Sequence, residues 1–425
     1  MDFSASMRFD HELLAVEQEH TVSCMLELTA PAPPVATERR PLALALVLDR
    51  SGSMAGEKLD VARRCASFLI ERLAPTDRLS LVSFDHEVQL EAPLTEVGPQ
   101  RQQLTQTARS IGSRGQTNLS GGWLKGVEVL AGLDDGSHTR RILLLTDGMA
   151  NVGVTDETQL ARMARGSAGD GIGTTTIGFG DGFSEDLFTA MADAGGGGAH
   201  FAPTADAAPG IFAQEFDDLL ALVAQNVSVE IRPAWSEVQL LSILNDVPQV
   251  PVASGVQAQL GDAYGDERRR VVFQLHVPGL PALGPTQVAE VVVRYVAVGE
   301  QVAMHEVTLP IVVNAVSADD AAASVPDAEV TEEVTVLLSA RAQDEARDLA
   351  DAGRFDDARR TLNDAASRLR TASAGSPRAE DLELEAKRLE ERGDEIGSGG
   401  YDLMSRKHML YENRLRKQRR SRPGS

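Results

Sequence analysis

Residues 42–54 read LALALVLDRSGSM. An uninterrupted apolar run, Leu42 to Leu48, leads straight into Asp49, and Ser51 and Ser53 follow at every second position, separated by Arg50 and Gly52. An apolar run of that kind, bounded by turn residues, is the pattern of a strand buried on both faces, as in a parallel sheet. In open α/β sheets, ligands collect beyond the carboxyl ends of the strands. Three small oxygen-bearing side chains placed there are therefore a functional signal as well as a turn. Gly52 lets the backbone bend between them without a Cβ clash.

Outward from this strand, helix and strand patterns alternate. EKLDVARRCASFLIERLA places Leu59, Ala62, Ala66, Leu69 and Leu73 at helical spacing. DRLSLVSFD is a second strand, with EVQLEAPL as its hairpin partner. NLSGGWLKGVEVLAGL reads as a helix despite its glycines, RRILLLTDG as a strand, DETQLARMARGSA as a helix and IGTTTIGFG as a strand. SEDLFTAMADA is a helix capped by Ser184, and GGGG at 195–198 leads into a short strand, AHFA. The alternation predicts an α/β domain over residues 41–222, with a doubly wound, mostly parallel, Rossmann-like sheet.

The pattern changes over 223–318. VSVEIRP, VQAQLGD, RRRVVFQLHV, TQVAEVVVRYVAV and VAMHEVTLPIVV are short alternating strands separated by turn residues, the signature of a β-sandwich. HTVSCMLELTAP near the N-terminus alternates in the same way. Residues 1–40 are therefore expected to supply N-terminal strands of that sandwich, with the α/β domain inserted into it. Residues 327–402 are rich in Ala, Leu, Glu and Arg and predict a helical hairpin region. LADAGRFDDARRTLNDA within it resembles a tetratricopeptide-type hairpin, but one pair does not make a repeat array. Residues 403–425 form a strongly basic tail, readable as a solvated chain end or as a segment docked on an acidic surface.

Composition narrows the function classes. The net charge of −22 over 425 residues argues against nucleic acid as the main ligand. MDFSASMRFD lacks a basic segment followed by an apolar one, and no apolar run approaches the roughly 20 residues of a membrane span. Cys24 and Cys65 are too few for a cysteine zinc site and read as buried thiols. The expectation is a soluble cytoplasmic protein.

Two further segments join the opening motif. Asp147, in LLLTDGMANVG, also ends a predicted parallel strand, and Thr117, in GQTNLSGG, lies in the loop before a helix. Together with Asp49, Ser51 and Ser53 they offer two carboxylates and three hydroxyls. Hard oxygen ligands of this type suit Mg²⁺, Mn²⁺ or Ca²⁺ rather than zinc. Each residue alone has a plainer use: an aspartate at a strand end is commonly a turn former, and Ser53 could cap the next helix. His86 after Asp85 reads as a solvated turn residue. DRSGSM is not a G-x-S-x-G nucleophile elbow, GIGTTTIGFG fits neither a dinucleotide fingerprint nor a P-loop, and GGGG reads as a turn rather than a phosphate cradle.

The set D-x-S-x-S, a later Thr and a later Asp resembles the metal-ion-dependent adhesion site of von Willebrand factor type A domains. The resemblance covers roughly residues 41–222. GGGGAHF and the surrounding sandwich are similar to the bacterial, inter-alpha-trypsin-inhibitor-like and calcium-activated-channel-like subgroup. It implies a non-enzymatic, metal-dependent protein-binding module or scaffold in a bacterial cell, with the metal, Mg²⁺ first and Mn²⁺ or Ca²⁺ as alternatives, held by Asp49, Ser51, Ser53, Thr117 and Asp147. One metal position would stay open for an Asp or Glu of a partner protein. Two other readings stand beside it: a metal-assisted hydrolase, and a scaffold led to membrane or nucleic acid by the basic tail.

Overall fold

A computed structural model of the chain describes residues 3–33, 39–133, 136–148, 151–180, 182–202, 204, 207–298, 303–418 and 420–421. Met149 and Ala150 of the LLLTDGMANVG stretch, and the last four residues of the basic tail, lie outside the described residues. Three strands come first, β1 (Ser4–Phe9), β2 (Leu13–Ala15) and β3 (His20–Thr29). The α/β portion follows with β4 (Leu42–Asp49), α1 (Glu57–Arg72), β5 (Arg78–Phe84), β6 (Val88–Glu96), α2 (Val97–Ser110), α3 (Leu119–Ala131), β7 (Thr139–Thr146), α4 (Glu157–Gly169), β8 (Ile172–Phe179), α5 (Glu185–Ala194), β9 (Gly196–Ala202) and α6 (Ala208–Leu220).

Its sheet has the order β6-β5-β4-β7-β8-β9, parallel except for β6. The apolar run is continuous because both faces of β4 are covered. Leu42, Leu44, Leu46 and Leu48 pack with residues of α1, α2 and α6, whereas Ala43, Ala45 and Val47 pack with residues of α3 and α4. The sheet is therefore doubly wound. The glycines of α3 serve that packing: a Cβ at Gly126 would lie 2.9 Å from Val47 Cγ2, and one at Gly122 would lie 2.4 Å from Phe84 Cδ1. Helices α2 and α6 add to those legible in the sequence.

The remaining strands are β10 (Leu222–Pro233), β11 (Gln239–Ile243), β12 (Gln249–Val252), β13 (Gly255–Tyr264), β14 (Arg268–Val277), β15 (Gly284–Ala297) and β16 (Ala303–Val316). They form two sheets, β1-β3-β14-β11 and β12-β13-β10-β15-β16-β2. Strand β3 pairs with β14 over its whole length, so the α/β sheet lies, in chain order, between two neighbours of one sandwich sheet. Alternate residues of β3 (Val22, Cys24, Leu26, Leu28) meet β10 and β15 in the core, while Met25 on the opposite face meets the helical region.

That region comprises α7 (Ala318–Ala323), α8 (Ala328–Asp351), α9 (Phe355–Ser373), α10 (Ala379–Gly397) and α11 (Leu403–Gln418). Val330 and Leu337 of α8 cover the outer face of the sandwich, and α8, α9 and α10 share a second small core. The basic tail is a helix, α11, followed by a two-residue strand β17 (Arg420–Ser421) that pairs with Arg268 and Arg269 of β14. Between the α/β sheet and the sandwich, Arg141 of β7, fully buried, is ion-paired with Asp262 of β13.

Candidate metal centre

The strand order 6-5-4-7-8-9 reverses direction between β4 and β7. From β4 the chain winds one way to β5 and β6, and from β7 it winds the other way to β8 and β9. The loops leaving β4 and β7 therefore diverge and open a crevice at their carboxyl ends, the switch point where ligands bind in such sheets. Asp49 is the last residue of β4. Its neighbour β7 ends at Thr146, with Leu48 paired to Leu145, so Asp147 follows directly beyond the adjacent strand end.

All five oxygen-bearing residues gather there. Ser51 Oγ lies 3.1 Å from Ser53 Oγ, and Ser53 Oγ donates to Asp147 Oδ1 at 2.7 Å. A Cβ at Gly148 would lie 3.3 Å from Thr117 Oγ1 and 3.6 Å from Ser53 Oγ, which places the threonine hydroxyl on the same point. The Thr117 loop is tied to both neighbours. Gly52 N–H donates to Gly115 O at 3.1 Å, and Thr117 N–H donates to Asn151 Oδ1 at 3.0 Å. Asp49, Ser51, Thr117 and Asp147 are buried, and Ser53 is exposed at the mouth.

Asp49 is fixed from two sides. Ser51 N–H donates to its Oδ1 at 2.7 Å and the Thr146 hydroxyl donates to its Oδ2. Burial nonetheless pushes its carboxyl up from 3.8 to about 6, with the nearby Asp147 adding to the rise and those hydrogen bonds opposing it. A site that crowds two buried carboxylates and three hydroxyls is short of positive charge, and a hard divalent cation would supply it. The donor set therefore fits such an ion. The positive charge at hand is Lys58, whose Nζ sits 2.5 Å from Asp147 Oδ2. Lys58 lies in the first turn of α1, and helical side chains lean back towards the N-terminus, which brings it over the motif.

Residues between the ligands point elsewhere. The Arg50 guanidinium lies 3.0 Å from Asp85 Oδ2 and 3.2 Å from Glu91 Oε1. Asp85, His86 and Glu87 also place ligand atoms within 4.8 Å of one another, the one such trio of acidic, histidine or cysteine side chains among the described residues. Their oxygens are already matched: Arg114 reaches Asp85 at 2.7 Å and Glu87 at 2.6 Å. Burial pushes the Asp85 carboxyl up, but the Glu87 N–H together with Arg114 and Arg50 hold it below the usual range on balance. Its backbone carbonyl accepts from Asn118 N–H, so this trio buttresses the Thr117 loop.

Sequence reasoning did not find Thr146 or Lys58. The signal for Thr146 was a lone hydroxyl ending an apolar strand next to Asp147. The signal for Lys58 was a cation one helical turn from the motif.

The model of the von Willebrand factor type A domain matches residues 43–214. Residues 43–214 form a von Willebrand factor type A domain. A von Willebrand factor type A protein from Catenulispora acidiphila is similar over 99% of this chain and 97% of its own, at a TM-score of 0.71 and 17% identity. The ArnB paralog VWA2 from Sulfolobus acidocaldarius is similar over 98% of each chain, at a TM-score of 0.63 and 16% identity. The type A domain, the sandwich and the helices thus recur together as one fold. In sequence, an uncharacterized protein of Synechocystis (sll0103) is 28% identical over 66% of this chain and 70% of its own length. Human inter-alpha-trypsin inhibitor heavy chain H3 is 28% identical over 36% of this chain and 18% of its own. The type A domain is therefore similar to bacterial and inter-alpha-trypsin-inhibitor-type relatives alike. Among the described residues no helix is long and apolar enough to cross a membrane.

Proposed function

We propose that this chain is a non-enzymatic scaffold that binds a partner protein through a divalent cation held by Asp49, Ser51, Ser53, Thr117 and Asp147. The observation that carries the reading is the convergence of these residues at the switch point of the sheet, with Ser53 at the mouth. Neutral hydroxyls matter to the chemistry. Five carboxylates would saturate the charge of a cation, whereas two carboxylates and three hydroxyls leave it electrophilic toward one more anion. An Asp or Glu of the partner is the matching group. Mg²⁺ suits the small oxygen-only set, and the same ligands admit Mn²⁺ and Ca²⁺. The place of action we propose is the bacterial cytoplasm.

The hydrolase reading needs a general base beside the cation. Among the described residues, the ionisable group reaching in from outside the five is Lys58, already bound to Asp147, and His86 is turned to Asp85 at 3.1 Å. The tail-led reading is weakened by where the tail's cations lie among the described residues. Arg406, Lys407, Arg414, Arg416 and Lys417 are all ion-paired to carboxylates of this chain.

The test is a pull-down from a bacterial lysate in Mg²⁺ and again in chelator, with calorimetric Mg²⁺ and Mn²⁺ titrations of the wild type and of Asp49→Ala and Thr117→Ala. Both variants are expected to stay folded and to lose the metal together with the partner. Equal metal affinity in wild type and variants, or capture that persists in excess chelator, refutes the reading.

A further inference from the structure

We propose that Lys407 of α11 is a positioning residue for the metal centre: it holds the Gly182–Phe183 segment against the backbone of Asp147. The inference rests on the reading of Asp147 as a metal ligand. Lys407 is fully buried, an arrangement that burial penalises unless each donor of the ammonium is used. Here Nζ donates to the carbonyl of Phe183 at 2.6 Å, lies 3.1 Å from Glu185 Oε2 and stands 3.9 Å from the centroid of the Phe183 ring. The ring is wedged in turn, 5.0 Å from that of Phe188, with a Cβ on Gly178 excluded by it at 2.4 Å.

One residue before Phe183, the chain touches the metal centre. A Cβ at Gly182 would lie 2.6 Å from the carbonyl oxygen of Asp147, so the two backbones are in direct contact. A Cβ at Gly180 would lie 3.7 Å from Lys58 Nζ, the group bound to the Asp147 carboxylate. The path from α11 to the site is short and each step is a packed contact: Lys407, Phe183, Gly182, Asp147. A displaced Phe183 carbonyl moves Gly182, and Asp147 loses the wall that fixes its backbone.

Helix α11 is well placed for such a role because its C-terminal half is anchored to other elements. Arg414 binds Asp193 of α5, Asn413 donates to Ala340 O of α8 at 2.7 Å, and Lys417 lies 2.5 Å from Asp344 and 2.6 Å from Asp246. Lys407 thereby ties the metal site to a helix that is itself fastened to the helical region and the sandwich.

The test uses the full chain and four proteins: wild type, Lys407→Met, Lys417→Met and Gly182→Ala. Mg²⁺ affinity is measured by calorimetry, and amide hydrogen exchange is measured by mass spectrometry without metal. Lys407→Met is expected to weaken Mg²⁺ binding on the order of tenfold, the low end for groups behind metal ligands, and to speed exchange at residues 146–148 and 182–188. Gly182→Ala, which disturbs the same contact without touching α11, should give the same loss. Lys417→Met breaks the far anchor and should lower the melting temperature while leaving Mg²⁺ affinity unchanged. Wild-type affinity in Lys407→Met and Gly182→Ala, or an equal loss in Lys417→Met, overturns the proposal. Should the wild type itself take no Mg²⁺, the ligand reading fails, and exchange at 146–148 decides the positioning: faster in Lys407→Met supports it, unchanged overturns it.

Discussion

Asp49→Asn is expected to stabilise the metal-free protein at neutral pH while abolishing its response to metal. Burial raises the Asp49 carboxyl from 3.8 in the unfolded chain to about 6 in the folded one. One pKa unit corresponds to about 1.4 kcal/mol, so the ionised carboxylate costs the metal-free fold about 3 kcal/mol at neutral pH. The sign follows from the direction of the shift. The folded state holds the proton more tightly, so the penalty is absent below 3.8, grows as the pH rises, and is complete above about 6. An asparagine removes the charge and keeps an oxygen for Ser51 N–H. Its amide instead faces Thr146 Oγ1, which already accepts from Gly148 N–H at 3.1 Å, so the hydroxyl proton loses its acceptor. That loss costs about 1 kcal/mol. The net gain is about 2 kcal/mol, or roughly 4–8 °C in melting temperature for a domain of this size. Thermal melts in chelator should show the variant above the wild type at neutral pH, with the gap closing as the pH falls towards 4. Millimolar Mg²⁺ should raise the wild type alone. A variant that melts below the wild type in chelator, or a gap that does not change with pH, would refute the reasoning.

Lys58→Met should strengthen Mg²⁺ binding, because the ion no longer displaces an ammonium from Asp147. The half-exposed pair is worth up to about 1 kcal/mol, so the gain read by calorimetry should reach about fivefold at most. Gly126→Ala should destabilise the type A domain by about 1–3 kcal/mol in chemical denaturation, because the added methyl meets Val47 Cγ2 at 2.9 Å in a core with no slack.

Much of the α/β portion was legible because its strands are buried on both faces and say so in composition. LALALVLD and RRILLLT cannot be mistaken for half-exposed strands. Helix α2 was not legible for the opposite reason. VGPQRQQLTQTARS buries only Val97, Leu104 and Ala108, too sparse a stripe to stand out from polar loop. Helix α6 carried its signal, Phe212, Phe216 and Leu219 at helical spacing, within a segment opened by Ala-Pro-Gly, which reads as turn. The tail was harder in kind. Helix α11 is held by ion pairs of Arg406, Arg414 and Lys417 to partners distant in the chain, and neither periodicity nor composition encodes where those partners stand. Of the site, the five oxygen donors were readable as a spaced set, whereas Thr146 and Lys58 became visible only with the strands in register.

That register is what turns a motif into a site. Asp49 and Asp147 are far apart in the chain, and nothing in either tetrapeptide around them brings them together. Parallel pairing of Leu42–Leu48 with residues 139–145 does so. Side chains alternate along a strand, so a slip of one residue would turn Asp49 to the other face of the sheet. The slip is prevented by the two unlike covers of β4: leucines fill the face under α1 and α6, and small alanines and Val47 admit the close approach of α3 at Gly126. Exchanging the faces would drive leucines into the space where α3 lies closest and leave alanine-sized gaps beneath α1. The alternation of large and small in LALALVL, which looked like a plain buried strand, is thus the element that sets the register. It thereby decides that the carboxylates of Asp49 and Asp147 meet across one crevice.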